Sequence, residues 1–351
     1  MGDNLCAVFY GRGDLRMENR PLRQPAEREV QISVRNCGLC MTDVHILEDG
    51  RIAQFDITSP SVPGHEMSGV ITSLGASVTG FKPGDRVTSD VPKTCGYCNS
   101  CKRGRLSLCQ NVGYLGIPTM DGGLGRHVNI PARMLYRLPE GVDFEDGAVT
   151  EPLSVTVNAV NRAGIGLGDT VLVFGAGPIG LLALQVARAK GATTVCVADI
   201  NSDRLKLASE LGASRTVLTA SSETDAQAYA QKLVDMVGEV DAVLECSGAQ
   251  LCLQAAVHAV RPGGCVALVG FGPENMVIPH TTAIAKEVDI RGCVANHYCF
   301  PAALKLMETG KVKVKPIISH RFSLDEVPQA LEVVRKRQGL KVMINCAQTA
   351  A

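Results

Sequence analysis

The chain has 351 residues, more than a single hydrophobic core usually serves, so two domains are expected. Its 35 basic and 35 acidic residues cancel, which excludes a global field that steers nucleic acid or an acidic membrane surface to the protein. Hydrophobic residues at 46% and charged residues at 20% are ordinary for a soluble globular protein, and 36 glycines are a surplus that argues for tight turns or close backbone approaches to a ligand.

The first residues, Met1 to Cys6, carry no basic flank followed by an apolar stretch, so no secretory signal is read there, and Cys6 stands where a myristoylation pattern wants Ser or Thr. No apolar run is long enough to span a bilayer. The expectation is a cytoplasmic protein, in whose reducing surroundings clustered cysteines read as metal ligands and scattered ones as small core residues. Of the fourteen, Cys6, Cys196, Cys246, Cys252, Cys265, Cys293, Cys299 and Cys346 take the second reading.

Residues from about 5 to 90 are dense in short β-type runs broken by turn signals. Val30–Val34 alternates as a half-buried strand, Gly69-Val70-Ile71 opens another, and Gly75, Gly80 and Gly84-Asp85 lead to Arg86-Val87. An all-β opening of this kind predicts a barrel-like domain. Within it, Cys40 is followed two and five residues later by Thr42 and His45, and Val62 to Gly69 carries His65 and Glu66; Glu151 comes further on. A thiolate, an imidazole and carboxylates brought from separate segments suit a zinc ion that keeps one position open for water or substrate. Cys95, Cys98, Cys101 and Cys109 have the x2, x2, x7 spacing of a closed tetrahedral zinc site, a staple for a loop and not a place for chemistry.

From about 155 the pattern becomes strand, helix, strand. Thr170–Phe174 is a buried strand, Gly175 to Gly180 a glycine-rich turn, Leu181–Lys190 a helix stopped by Gly191, and Thr194–Ala198 a second strand ending at Asp199. This is the dinucleotide fingerprint in its proper context. Gly175 makes the turn, Gly177 lets the backbone approach a pyrophosphate and Gly180 lets helix and strand pack, with Pro178 and Ile179 completing the motif. Asp199 is placed to hydrogen-bond ribose hydroxyls and repel a 2′-phosphate, which favours NAD over NADP; Arg204 nearby argues the other way. Strands at Ala242–Cys246 and Cys265–Val269 end in Ser247-Gly248 and Gly270-Phe271-Gly272, at the carboxyl edge where ligands of open α/β sheets bind. Past about 290 short strands return, as at Lys341–Ile344, and the tail is expected to fold back onto the first domain.

A zinc ion near a nicotinamide stabilises the alkoxide left when an alcohol loses its proton, and the carbinol hydrogen leaves as hydride. Thr42 and His45 are candidates to relay that proton, with a zinc-bound water as the competing carrier. The motifs Gly64-His65-Glu66-x2-Gly69-x5-Gly75-x2-Val78, the four-cysteine lobe, Glu151-Pro152-Leu153-Ser154 and Gly175 to Gly180 together resemble those of the zinc-dependent medium-chain dehydrogenases, most of all their sorbitol (polyol) dehydrogenase branch, over essentially the whole chain. The resemblance implies an α/β chain with a GroES-like β-barrel catalytic domain over 1–157 carrying a zinc lobe at 93–112, a Rossmann domain with a doubly wound parallel sheet over 158–290, and a return to the catalytic domain over 291–351. It implies a homo-oligomer, tetramer or dimer, two Zn2+ per chain, and a catalytic zinc on Cys40, His65 and Glu66 with Glu151 near it directly or through water.

Against that family pattern the pocket differs. A tyrosine, a threonine and an arginine that meet polyol hydroxyls are replaced by Ile46, Ile117 and Ala295, while Tyr114 keeps an aromatic and Asn296, His297 and Tyr298 offer polarity from a shifted register. Such a pocket is expected to be less polar and to suit a smaller secondary alcohol or diol as the alternative to a polyol. A cofactor-binding protein without turnover is disfavoured because no candidate zinc ligand or relay residue is lost.

Overall fold

The structure is a computed structural model that describes residues 4–52, 55–118 and 120–347. In chain order its main elements are β1 (Glu29–Leu39), α1 (Met41–Asp49), β2 (Glu66–Leu74), β3 (Arg86–Ser89), β4 (His127–Pro131), β5 (Leu135–Arg137), α2 (Thr150–Ala163), β6 (Thr170–Phe174), α3 (Pro178–Lys190), β7 (Thr194–Asp199), β8 (Arg215–Leu218), β9 (Val240–Glu245), α4 (Gln250–Ala259), β10 (Val260–Leu268), β11 (Asp289–Gly292), β12 (Ile318–Ser323) and β13 (Lys341–Asn345). The chain divides into two compact units: residues up to Glu151 with Ala303–Glu308 and the chain from Val314 on, and Pro152–Ala302 with Thr309–Lys313. The first division falls at 151/152, inside α2 where the 157/158 of the sequence reading also lies, and the second at 302/303, after β11 and beyond the 290/291 of the sequence reading.

The first unit is built on a largely antiparallel sheet in the order β5-β3-β2-β1-β13-β12, with β4 also paired to β1. Alternation drives it: along β1, Val30, Ile32, Val34, Cys37 and Leu39 are buried against Ile71, Val87, Val128, Ile130 and Ile344. The C-terminal strand β13 pairs with β1 through Val342–Leu39, Met343–Gly38 and Ile344–Cys37, so the tail does return to this sheet. Gly38 thus lies between Glu66 on β2 and Met343 on β13.

The second unit carries a parallel sheet in the order β8-β7-β6-β9-β10-β11. This is the doubly wound order with the chain reversing direction at β6, and ligands of such sheets bind at the carboxyl edge beside that reversal. Strand β6 is buried along Val171–Phe174 because helices cover both faces of a parallel sheet. Helix α3 starts at Pro178, three residues ahead of the expected Leu181, because proline's fixed φ suits the first helical position and its missing N–H costs nothing there. It ends at Gly191 in the left-handed conformation (φ +115°), as expected of a helix stop.

Candidate active site

Cys40, His65 and Glu66 bring one ligand atom each to within 4.8 Å of one another. Cys40 is the residue before α1, and Asp43 in the first turn fixes it: one carboxylate oxygen accepts the Cys40 N–H at 2.9 Å. The other oxygen of Asp43 accepts the Gly64 N–H at 3.3 Å and lies 3.8 Å from His65 Nδ1. A single buried carboxylate therefore ties together the segments carrying the thiol and the imidazole. Glu66 is held by a third segment. Its Oε1 accepts from Lys341 Nζ at 2.6 Å, and Lys341, only 4% exposed, also donates to the Leu39 carbonyl at 3.1 Å. Gly38 keeps the lane between them open, since a Cβ there would sit 2.2 Å from Glu66 Oε2.

The donor set fits a zinc ion. Glu66 Oε2 and His65 Nδ1 are buried with no hydrogen-bond partner, and a thiolate, an imidazole and a carboxylate are the ligand types of open zinc sites. Burial pulls the His65 imidazole down, but hydrogen bonding to Cys40 and the negative charge of Asp43, Cys40 and Glu151 outweigh it and raise it to about 10. The pocket thus draws positive charge. Glu151 is buried outside this trio; burial pushes its carboxyl up, and the His65 charge pulls it back. Thr42 and His45 are half-buried, three residues apart on one face of α1.

Cys95, Cys98, Cys101 and Cys109 form the second cluster, again within 4.8 Å. Cys95 and Cys109 sulfurs are 3.5 Å apart and those of Cys95 and Cys101 are 3.9 Å apart. A tetrahedral zinc with bonds of about 2.3 Å sets sulfur–sulfur separations near ~3.8 Å, and every cysteine is free of disulfides. Backbone N–H groups of Cys101 and Gln110 lower Cys98 to about 6, favouring the thiolate that zinc needs.

The glycine-rich turn has the form of a phosphate cradle. Gly175 is left-handed (φ +92°), and a Cβ on Gly180 would meet the Gly175 carbonyl oxygen at 1.8 Å. A Cβ on Gly177 would meet nothing within 4 Å, which leaves open space over the N-terminus of α3. Asp199 closes β7 with one oxygen accepting the Ala176 N–H at 2.6 Å and the other the Asn201 N–H at 2.8 Å, so it braces the turn as well as ending the strand. Arg204, half-buried, is the third residue of the helix Ser202–Glu210, its N–H capped by Asn201 Oδ1 at 3.1 Å.

The alcohol dehydrogenase GroES-like domain model matches residues 26–140 and the zinc-binding dehydrogenase model residues 178–309. The chain is 40% identical to chicken (Gallus gallus) sorbitol dehydrogenase over 351 residues, covering 99% of this chain and 98% of that protein, and 41% identical to the human (Homo sapiens) enzyme over 345 residues, covering 98% and 96%. The chain belongs to the zinc-dependent medium-chain dehydrogenases, in their sorbitol dehydrogenase branch. A solved structure from Sinorhizobium meliloti 1021, described as a zinc-binding dehydrogenase bound to NADP, superposes with a TM-score of 0.91 at 31% identity, covering 98% of this chain and all of that one. This medium-chain dehydrogenase is therefore an oxidoreductase that works with zinc and a nicotinamide dinucleotide.

The expected pocket residues of this dehydrogenase are less uniform in setting. In the first unit Ile46 is fully buried in the hydrophobic core and Ile117 nearly so, which makes Ile46 a packing residue that offers no surface to a substrate here. Tyr114 is half-buried, edge-on to the Phe55 ring at 5.6 Å, and its hydroxyl donates to the Ser107 carbonyl at 2.9 Å. In the second unit Ala295 adopts a left-handed conformation (φ +44°), its carbonyl accepts from Asn158 Nδ2 at 3.0 Å, and Asn296 is fully buried. Three residues that sequence reasoning did not single out organise the Cys40, His65 and Glu66 trio: Gly38, Asp43 and Lys341. Asp43 carried a signal, being an acid at the third position of a helix whose cap is Cys40. Lys341, a lone charge opening an apolar strand, carried a weaker one.

Proposed function

We propose that the protein oxidises a secondary alcohol of a polyol such as sorbitol or xylitol to the ketone, with NAD as hydride acceptor, and runs the reverse reduction. The observation that carries this reading is the Cys40, His65 and Glu66 trio with Glu66 Oε2 left without a hydrogen bond, in a chain that also holds a complete dinucleotide turn. Cys40, His65 and Glu66 hold the catalytic zinc, with Glu151 as an auxiliary carboxylate, and Cys95, Cys98, Cys101 and Cys109 hold a second, structural ion. Zinc, when bound, supplies the Lewis acidity that makes an alcohol's proton easier to remove. Asp43 keeps the Cys40 and His65 segments in place, and Lys341 keeps Glu66 in place. Thr42 and His45, on one face of α1, pass the proton towards solvent.

Gly175, Gly177, Pro178, Ile179 and Gly180 receive the pyrophosphate, with Ser247 and Gly270 at the neighbouring strand ends. NAD is favoured because Asp199 faces the turn as a carboxylate acceptor, which bonds ribose hydroxyls and repels a phosphate. Asp199→Ala is expected to raise the NADP-to-NAD ratio of kcat/KM at least about tenfold, the size of a lost hydrogen bond to a charged group. Because Asp199 also takes the Ala176 N–H, the same change weakens binding of both cofactors, while Asp199→Asn, which keeps an acceptor, weakens it less. An unchanged cofactor ratio in Asp199→Ala would count against the ribose contact.

A homo-oligomer, dimer or tetramer, and a cytoplasmic site are part of this reading. Support for the first comes from β11, which ends its sheet with an unpaired edge and has Ile290 36% and Val294 41% exposed at or just after it. No helix among the described residues is long and apolar enough to cross a membrane. A second substrate reading, a smaller diol or hydroxy amino acid, is favoured by Ile117 and Ala295, neither of which can bond a sugar hydroxyl through its side chain. A panel from sorbitol, xylitol and ribitol to butane-2,3-diol and threonine, followed by NAD reduction with zinc-replete enzyme, tests the two. Highest kcat/KM on the polyols is expected; preference for the small diols would transfer the assignment to them.

A further inference from the structure

Glu245 ends β9 with its side chain in the interior, 2% exposed. Its Oε1 accepts the Ser247 N–H at 2.9 Å, the Ser247 hydroxyl, and the Gly248 N–H at 3.0 Å; Oε2 lies 3.2 Å from the same Gly248 nitrogen. The direction of the hydroxyl proton is set, because Ser247 Oγ itself accepts the Ala249 N–H at 3.1 Å and so turns its proton towards Glu245. Three donors converging on one oxygen are the surroundings of an ionised carboxylate, which accepts only. Burial raises its pKa above the ordinary carboxylate range and the Ser247 and Gly248 bonds offset this only in part; among the described residues no lysine, arginine or histidine acts on it. A buried charge without a counter-charge is costly, and proteins pair such groups or give them a ligand.

The surroundings of Glu245 are the three turns at the carboxyl edge of the second unit. Its own carbonyl accepts from Val269 and Gly270 N–H groups, each at 2.9 Å, which ties the end of β10 to the end of β9. A Cβ on Gly270 would sit 2.5 Å from the Gly248 nitrogen, and one on Gly248 would sit 2.2 Å from the Phe271 carbonyl oxygen. The Gly175 turn joins them, with the Gly175 Cβ position 3.2 Å from Cys246 and Ser247. In a sheet of this order a dinucleotide straddles the reversal at β6, one mononucleotide half on each side. Asp199 on β7 marks the adenosine side, so the nicotinamide half falls over the ends of β9 and β10.

We infer that Glu245 is a positioning residue that also supplies counter-charge for the oxidised nicotinamide ring, so that its buried carboxylate shifts the balance of affinities towards the cationic NAD+ relative to the neutral-ringed NADH. The inference rests on dinucleotide binding at this edge. One hydrogen-bonding oxygen anchors the Ser247-Gly248 turn, and the charge that remains acts on the one cofactor state that carries a positive ring. At interior separations of several ångströms one unit charge changes affinity for another by roughly tenfold or more.

Dissociation constants for NAD+, NADH and ADP-ribose, measured by calorimetry on the full-length, zinc-loaded wild type, Glu245→Gln and Glu245→Asp, test it. Glutamine keeps an oxygen for the three donors and removes the charge, giving up only the long 3.2 Å contact of Oε2 with the Gly248 nitrogen. Glu245→Gln is expected to weaken NAD+ about tenfold while NADH and ADP-ribose stay within about twofold. Glu245→Asp, which keeps the charge, retains the wild-type NAD+-to-NADH ratio even where both affinities fall. Equal weakening of NAD+ and NADH in Glu245→Gln, or no change in either, would overturn the inference. If the wild type prefers the phosphorylated cofactor, the NADP+ and NADPH pair gives the same ratio. Absence of any dinucleotide binding by the wild type would overturn the cofactor assignment itself, and this inference with it.

Discussion

Lys341→Met is expected to lower the unfolding free energy of the metal-free protein by about 3–5 kcal/mol, the cost of stranding one partner of a buried ion pair. Lys341 and Glu66 are both interior, 2.6 Å apart, and the lysine also donates to the Leu39 carbonyl at 3.1 Å. Methionine fills a similar volume, so the loss measures the carboxylate left without its cation and not a cavity. Two comparisons separate this from general damage. Lys341→Met combined with Glu66→Gln removes both charges and is expected to recover most of the loss, because a neutral amide costs far less to bury than a carboxylate. Zinc-loaded Lys341→Met is expected to lose less than the metal-free form, because a cation again faces Glu66. Urea unfolding of the wild type, Lys341→Met and the double variant, with and without zinc, supplies the numbers. A double variant no more stable than Lys341→Met would show that Lys341 packs and does not pair.

On the proposed count of two zinc ions per chain, Cys40→Ser is expected to remove one and to lower kcat for polyol oxidation by a factor of at least about 10³, the several kcal/mol that a Lewis acid contributes to charge stabilisation. A serine hydroxyl is a poor zinc ligand beside a thiolate, and the remaining imidazole and Glu66 carboxylate make only two of the three contacts. The matched control is Cys98→Ser in the other cluster. It too removes one ion, but its effect is expected on thermal stability, since four sulfurs around one metal leave no position for substrate. Equal turnover loss in both variants, with folding intact, would show that the four-cysteine lobe takes part in the chemistry.

Much of this architecture was legible because local signals agreed with one another. The period-two run in β1, the buried run in β6 and the glycine turn between β6 and α3 each fit the element that formed, and the acidic residue at the end of β7 sits where the fingerprint places it. The start of α3 was misjudged because the glycine motif overlaps the first helical turn, where Pro178 already fixes the backbone. The gathering of the four cysteines was readable from spacing alone, since Cys95 to Cys109 lie within fifteen positions of sequence and close a local loop.

What was not legible is long-range. Lys341 and Glu66 are 275 positions apart, and only the pairing of β13 with β1 across Gly38 brings them together. Ile46 looked like a pocket residue from its place after His45, yet the turn of α1 sends it into the core while His45 stays half-buried. Glu245 reads in sequence as the end of a strand. That no cation pairs with it among the described residues becomes visible only when the donors around it are known.

The central claim is that a zinc ion on Cys40, His65 and Glu66 makes this chain an NAD-linked polyol dehydrogenase. Its most direct test is sorbitol-dependent NAD reduction by enzyme stripped with a chelator that leaves the four-cysteine ion in place, followed as zinc is returned. Activity is expected to rise in proportion to zinc and to saturate at one added equivalent per chain, with Cys40→Ser showing no recovery. Full sorbitol oxidation by the stripped enzyme, or recovery of Cys40→Ser alongside the wild type, would contradict it.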